Sequence, residues 1–531
     1  MIGSRWISVL SHYGDIRWTI IPAWPPDMPK KSQNVALVLG ARSNGATLFR
    51  WLYDEIRTAI VEGRLPPGSR LPSTRTVSSQ YGLARGTVVA AFDQLASEGY
   101  VESTVGNGTF VRRAANGAGP IQQPRVGQQR AVGIPARPSL SACGRRLAAN
   151  PFPLLVSSRT AETFRLDRPA LEAFPIKLWS RLAARRLRNS TLRLLSHGEI
   201  LGFRPLREAI AAHVGLTRGV KCTAHQVVIT TGTQQSLDLV ARLVLDPGDR
   251  VWMEDPGYPG ATALLRACGA QVIGVPVDAE GLDCNAGRRR GPEAKLAYVT
   301  PGCQFPLSVG MSLARRLALL QWAREAGAWI FEDDYDSQLR FSGRPLAALQ
   351  SLDTAACVIY SNTFNKMLFP GLRLGFLVVP ATLVDAMAAA RSVTERFPSV
   401  PDQATLSDFI AAGHLDQHMR RMGDLYTARF EALVRSARRS LKDLMEVSPA
   451  GAGLQVVGWL ASGIHEHEAA RGAAARDVDS VPLSKLMIER SMSPGLVLGV
   501  ASVDVRAIRR GIERLGAALG ELRPRPGPTP R

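Results

Sequence analysis

The sequence predicts two unlike folded parts, a small α+β head followed by a large α/β body, on three observations. Near the N-terminus, apolar residues recur at helical spacing in short stretches that lead into a glycine-marked hairpin. Further on, strand-like runs of four or five residues alternate with helix-length stretches, the pattern of a mainly parallel sheet flanked by helices. At 531 residues the chain is also too long for one small core.

Residues 1–45 have no clear periodicity and carry Pro22, Pro25, Pro26 and Pro29, so they are expected to form a loose extension. The head is expected over 46–113. Leu48, Leu52, Ile56 and Ile60 mark one helix face, which Gly63 and Pro66-Pro67-Gly68 stop. Ser73 is a good N-cap for a second helix running to Tyr81-Gly82. A third helix, from Arg85 to about Glu98, places Val88, Phe92 and Leu95 on one face. Two short strands then surround Gly106-Asn107-Gly108. Three helices and a hairpin describe a winged helix-turn-helix.

Residues 103 to 161 contain no Asp or Glu, while Arg112, Arg113, Arg125, Arg130, Arg137, Arg145 and Arg146 accumulate there. Residues 114–162 are therefore expected to be a flexible basic linker. The body is expected over 163–520, with strands at Val227–Thr230, Arg250–Met253, Ala297–Thr300, Trp329–Glu332 and Cys357–Tyr360. Residues 521–531 are a Pro/Arg-rich tail.

The formal charge of +20 favours a polyanionic partner such as nucleic acid. No apolar stretch approaches the roughly 20 residues that cross a bilayer, and the N-terminus makes a poor secretory signal, so a cytoplasmic protein is expected. Cys143, Cys222, Cys268, Cys284, Cys303 and Cys357 are scattered without a C-x-x-C pair, which fits reduced thiols better than a zinc site or a disulfide frame.

Chemistry concentrates in two places. In a helix-turn-helix the second helix enters the major groove, which makes Arg85 and Thr87 candidates for DNA contact. Arg70, Ser73 and Arg75 precede them, and Gly106 and Gly108 let the wing tip approach the duplex closely. In the body, Lys366 lies in a small and polar strand-end with Arg373 downstream and Asp333 upstream. A Schiff base to pyridoxal phosphate requires such an amine, an acid that keeps the pyridine nitrogen protonated, and a cation for phosphate. Gly232, Thr233 and Gln234 follow a strand and open a helix, a natural phosphate seat. Tyr258 is placed to stack on the ring or to serve as a core aromatic. Tyr335, two positions after Asp333, would reach the ring hydroxyl. The acidic run Glu332–Asp336 also suggests metal ligands, against which stands the lack of nearby His.

The segment Leu71-Pro-Ser-Thr-Arg75 … Gly86-Thr-Val-Val89 … Leu95-Ala-Ser-Glu-Gly-Tyr-Val101 … Gly106-Asn-Gly-Thr-Phe-Val111 resembles the GntR-type winged-helix head. Ala84 departs from the family's usual Ser or Thr N-cap. The order and spacing of the body motifs resemble fold-type I, class I/II aminotransferases, and the chain from about 48 to 520 resembles the MocR/GabR type of GntR regulator. The resemblance implies Lys366 as the Schiff-base lysine, Asp333 on the pyridine nitrogen, Tyr335 on the ring hydroxyl, Arg373 on the phosphate, Tyr258 stacked on the ring, and Gly232 to Gln234 as the phosphate seat. It further implies a homodimer, head-to-tail, that binds promoter DNA and takes an amine or amino acid as effector.

Two departures bear on chemistry. The family's Thr-Pro-x-His-Gln-x-Pro element reads Thr300-Pro-Gly-Cys-Gln-Phe-Pro306, and Asn365 replaces the Ser that often precedes the lysine. For the C-terminal Arg that would fork onto an amino-acid carboxylate, Arg490 and Arg506 are candidates, Arg506 fitting a terminal helix face better. The expected function is a pyridoxal-phosphate-dependent DNA-binding regulator whose body senses rather than turns over its ligand. The alternative is a working aminotransferase with an appended DNA-binding head.

Overall fold

The computed structural model describes residues 37–42, 45–104, 106–112, 139–153, 161–166, 168–189, 196, 198–336, 346–447, 452–489 and 492–522. The chain divides into two compact units, Met1–Ala136 and Arg137–Arg531.

In the first unit, α1 (Leu48–Val61), α2 (Thr74–Tyr81) and α3 (Arg85–Ser97) precede the hairpin β1 (Val101–Thr104) and β2 (Gly108–Val111). The apolar faces meet in one core that includes Leu52, Ile56, Val77, Val88, Phe92, Leu95, Val101 and Val111. Leu48, which leads the helical pattern, is itself 40% exposed. Thr47 caps α1 and Ser73 caps α2 through their side chains, whereas Ala84 at the start of α3 supplies no side-chain hydrogen bond.

The extension expected over 1–45 is not loose throughout. Leu37 is buried in the head core. Side chains tie down the backbone that follows it: Tyr81 Oη donates to Leu37 O (2.5 Å), Glu55 accepts from Gly40 N (2.8 Å), and Trp51 Nε1 donates to Gly40 O (3.2 Å). Local composition does not reveal this, because the partners sit 11 to 44 residues away. The rest of the extension, residues 1–36, lies outside the described residues.

The second unit is built on an eight-stranded sheet. Its strands are β3 (Val227–Thr230), β4 (Arg250–Asp255), β5 (Gln271–Asp278), β6 (Gly281–Leu282), β7 (Leu296–Val299), β8 (Trp329–Asp333), β9 (Val358–Thr363) and β10 (Gly375–Val378). Their spatial order is β3-β10-β9-β8-β7-β4-β5-β6. The pairs β4–β5, β4–β7, β7–β8 and β8–β9 are parallel, while β10 runs antiparallel to both β3 and β9. β3, β7 and β10 are buried at every position, which is why they read as unbroken apolar runs. Trp252 of β4 stacks on Trp322 with ring centroids 3.7 Å apart. A smaller antiparallel sheet, order β11-β12-β14-β13, follows from β11 (Met445–Val447), β12 (Gln455–Leu460), β13 (Val481–Pro482) and β14 (Gly495–Gly499).

The stretch expected to be a basic linker, 114–162, contains the helix Ala142–Ala149, capped by Ser141 Oγ on Gly144 N (3.0 Å). Its Arg146 guanidinium lies over Gly269, at the end of the helix Pro259–Cys268, where a Cβ would stand 3.2 Å from Arg146 Nε. A hydroxyl cap and a glycine that admits a guanidinium order a segment whose composition reads as unstructured. Residues 113–138 and 154–160 lie outside the described residues, as does the tail from 523. Among the described residues no helix is long and apolar enough to cross a membrane.

Replacing Ala84 by Ser supplies the missing cap and is expected to stabilise α3 by about 1 kcal/mol. Hydrogen exchange of the intact protein checks this: amides of the α3 first turn should exchange roughly fivefold more slowly.

Candidate functional site

Strand polarity assembles the site. The carboxyl ends of β3, β4, β7, β8 and β9 and the amino end of antiparallel β10 lie along one edge of the sheet. Ligands of open α/β sheets bind in the crevice outside that edge. Gly232 and Thr233 follow β3, Tyr258 follows β4, Asp333 ends β8, Lys366 follows β9, and Arg373 precedes β10.

Backbone meets backbone at the closest point. Gly375 pairs with both Thr230 and Thr363, and a Cβ on it would fall 2.8 Å from Gly232 Cα. Gly232 caps the helix Thr233–Val244 at φ 131°, where an L side chain is strained, and a Cβ there would press on Asn365 Nδ2 at 2.9 Å. The first-turn amides of this helix have no earlier carbonyl to bond and carry the positive end of the helix dipole, a seat for an anion. Gln234 donates from Nε2 to Gly260 O (3.1 Å), while its Oε1 is buried with no hydrogen-bond partner among the described residues. The Thr233 hydroxyl turns instead to Asp333 Oδ1 (3.3 Å).

Asp333 is 4% exposed. It accepts from Tyr298 Oη (2.6 Å) as well as from Thr233, and has no cationic partner among the described residues. Burial raises its pKa to about 7, against the lowering effect of those two hydrogen bonds. The remaining acids of the run do different work. Glu332 accepts from Leu349 N (2.7 Å) and Gln350 N (2.8 Å), Asp334 pairs with Arg218, and Asp336 accepts from Leu454 N (3.2 Å). Among the described residues, no group of three His, Cys, Asp or Glu is arranged to hold a metal.

Lys366 is half-buried and donates from Nζ to Leu166 O (3.1 Å); burial raises the pKa of Asp336 to about 6, against the lowering effect of the Lys366 charge. The Leu166 side chain joins Phe305 and Val497 in an apolar cluster against which Tyr258 and Tyr335 pack. Phe305 meets both tyrosine rings edge-on, at 5.9 Å and 6.3 Å. Burial pushes the ionisation of both tyrosines up, so they are neutral hydroxyls. Tyr335 Oη accepts from Gln455 Nε2 (3.0 Å). Arg373 adopts a left-handed conformation at φ 51°, is exposed, and its positive field reaches Tyr258.

The lysine, Asp333, both tyrosines, Arg373 and the glycine seat thus converge on one edge. Sequence reasoning did not find Tyr298, Leu166 or Phe305. Phe305 lies inside the Thr300–Pro306 element and was within reach; Leu166 lies 200 residues before its lysine and carried no signal. Glu254, near the end of β4, accepts from Thr300 N (3.0 Å), Thr300 Oγ1 (2.5 Å) and Gln304 Nε2 (3.2 Å), and burial lifts its pKa to about 7. Cys303 is buried with its thiol against Gly453. Arg506 is exposed in the first turn of the helix Val505–Glu521, and Arg490 lies outside the described residues.

In the head, Arg75 and Arg85 are exposed and Thr87 is half-buried in the first turn of α3. The Ser73 hydroxyl is engaged as a cap, accepting from Thr76 N (3.2 Å). Arg70 forms a β-bridge to Phe110, and its guanidinium lies over Gly108, where a Cβ would stand 2.8 Å from Nε. Gly108 therefore makes room for Arg70 at the turn end of the hairpin, while a Cβ at Gly106 would meet nothing within 4 Å.

Comparison with known proteins agrees with both parts. Residues 50–111 match the family of bacterial regulatory proteins, gntR family, and residues 176–461 match aminotransferase class I and II. The probable rhizopine catabolism regulatory protein MocR of Rhizobium meliloti is 39% identical over 478 residues, covering 90% of this chain and 95% of that protein. The pyridoxine biosynthesis transcriptional regulator PdxR of Corynebacterium glutamicum is 28% identical, covering 88% and 95%. Among solved structures, the α-aminoadipate aminotransferase LysN of Thermus thermophilus, complexed with N-(5'-phosphopyridoxyl)-L-leucine, matches with a TM-score of 0.63 at 28% identity, over 72% of this chain and 95% of that one.

The Asp333 carboxyl gives a pH test. Its folded pKa of about 7 lies above the ordinary value near 4, so between those limits the native state holds a proton that the unfolded chain lacks. Stability therefore falls as pH rises through that window, and the cost is complete above it. Asp333→Asn is expected to raise the melting temperature of the cofactor-free protein by several degrees at pH 8 and to change it little at pH 4.5; an equal shift at both pH values would refute this assignment.

Proposed function

We propose that this chain, which belongs to the MocR type of GntR-family regulators with a class I and II aminotransferase body, is a DNA-binding transcriptional regulator that carries pyridoxal phosphate. The observation that carries the cofactor reading is the buried Asp333 carboxyl, which has hydroxyl donors but no cation among the described residues, on the same sheet edge as Lys366 and the Gly232 seat. Such a carboxylate suits a protonated pyridine nitrogen. The first-turn amides at Thr233 and Gln234 and the Arg373 charge suit a phosphate. When bound, the cofactor supplies an aldehyde for amines and an electron-withdrawing ring.

The chain's own residues then have distinct tasks. Lys366 presents its amine from a short turn, held by Leu166 O. Asp333, with Tyr298 and Thr233 orienting its two oxygens, would keep a pyridine nitrogen protonated. Tyr258 and Tyr335, both packed on Phe305, would flank the ring, and Tyr335 would offer its hydroxyl to a ring oxygen. In the head, Arg85, Arg75 and Thr87 face the major groove, with Arg70 and the wing tip at Gly106 on the flank. An amine or amino acid bound in the body would act on two copies arranged head-to-tail, shifting how their heads are spaced on promoter DNA in the cytoplasm.

The rival reading, a working aminotransferase, draws on the intact Lys366, Asp333 and Tyr335 and on the likeness to transaminases. It further requires a group that anchors a substrate carboxylate. Arg506, exposed on a terminal helix, is a poor candidate for that anchor. Sustained keto-acid production from a panel of amines and amino acids would establish this reading over the first.

Two variants separate the halves. Lys366→Ala is expected to abolish the borohydride-trapped cofactor adduct, mapped by peptide analysis, while basal DNA binding persists. Arg85→Ala is expected to weaken binding to promoter DNA selected by the wild-type protein by about tenfold, and to reduce its salt dependence, while the cofactor spectrum stays unchanged. Unaltered DNA affinity would refute the placement of the recognition helix.

A further inference from the structure

Thr231, between β3 and Gly232, has its peptide groups held on both sides by side chains. Its N–H donates to Gln235 Oε1 (2.8 Å), and its carbonyl accepts from Asn365 Nδ2 (3.3 Å). The two carboxamides come from different elements, the first turn of the helix Thr233–Val244 and the turn Phe364–Met367 that carries Lys366. Each is fixed at its other end as well. Asn365 Oδ1 accepts from Leu374 N (3.2 Å), next to Arg373, and Gln235 Nε2 donates to Glu395 Oε2 (2.6 Å). Behind Glu395 stands Arg391, fully buried, whose Nη2 donates to the same oxygen (2.9 Å).

We propose that Asn365 and Gln235 clamp Thr231 and so preset the anion seat at Gly232–Gln234, which makes Asn365 a positioning residue for the phosphate group and not one of its ligands. This rests on the cofactor reading above. A carboxamide suits the task because it carries a donor and an acceptor on one rigid plane, and can tie the carbonyl of one loop to the amide of another. Through Asn365 the loops that carry the seat, the lysine and Arg373 are joined by side-chain-to-backbone hydrogen bonds. The same side chain lies against bare Gly232, leaving no room for a Cβ. A seat held in its binding geometry beforehand avoids the ordering cost on binding, and that saving is specific to the group that enters the seat.

The specificity provides the test. Binding of pyridoxal phosphate and of unphosphorylated pyridoxal is measured by absorbance on the full-length protein. Asn365→Ala is expected to weaken pyridoxal phosphate by about tenfold and pyridoxal by less than about twofold. Asn365→Asp, nearly identical in shape, is expected to weaken the phosphorylated ligand further, since a carboxylate repels both Thr231 O and the phosphate. Gln235→Ala should act in the same direction, and the double variant should lose less than the product of the single losses. Equal loss for both aldehydes, or no loss for either, would overturn the clamp. Should the wild-type protein bind neither aldehyde, the cofactor reading fails, and inorganic phosphate then judges the clamp. Phosphate is expected to raise the wild-type melting temperature more than that of Asn365→Ala, and an identical response in both proteins would overturn it.

Discussion

Arg218 and Asp334 form an ion pair with no solvent exposure at either side chain, and the geometry of the functional edge depends on it. The contact is bidentate, Nε to Oδ2 at 2.7 Å and Nη2 to Oδ1 at 2.9 Å. Tyr360 of β9 adds a hydrogen bond from its hydroxyl to Oδ2 (2.6 Å). One carboxylate thereby joins the helix Arg204–Arg218, the end of β8 and the middle of β9. Removing one partner of such a pair leaves a buried charge and costs about 3–5 kcal/mol. The position of β8 against β9 in turn sets where Asp333 stands relative to the Lys366 turn.

On the cofactor reading proposed above, the site sets costs in the empty protein against gains on binding. Asp333, Glu254 and Glu332 each have a pKa lifted to about 7, chiefly by burial, so ionised carboxylates there are expensive without cationic partners. Glu254 and Glu332 are compensated by backbone and side-chain donors that hold loops. Asp333 has two hydroxyl donors and faces the crevice edge, which is where an uncompensated carboxylate is useful for binding a cation. On the same reading the anion end would follow the opposite logic, with helix amides and one exposed arginine doing what a buried lysine would do at greater desolvation cost.

The two departures from the aminotransferase-like pattern have different consequences. Cys303 packs its thiol against Gly453 and lies close enough to Tyr335 for its charge to act on that hydroxyl. Asn365 replaces a hydroxyl with a longer side chain that reaches two neighbouring loops. The Ala84 departure in the head is simpler: α3 forms without a side-chain cap, its stability coming from Val88, Ala91, Phe92 and Leu95 in the core.

By itself the sequence determined the two-part division, the three helices and hairpin of the head, and the strand-end positions of Asp333 and Lys366. Those features are local: periodicity, caps, glycine turns and residue order along the chain encode them. Tertiary structure alone decided that β10 inserts between β3 and β9, which brings Gly375 against Gly232, and that Leu37 and the helix Ala142–Ala149 are ordered. It also decided that Leu166 O meets Lys366 Nζ and that Asn365 reaches Thr231. These contacts join residues far apart in the chain, or depend on a neighbour that makes room by lacking a side chain. Neither condition leaves a mark in any short window of sequence, because both are set by which surfaces the packed core brings face to face.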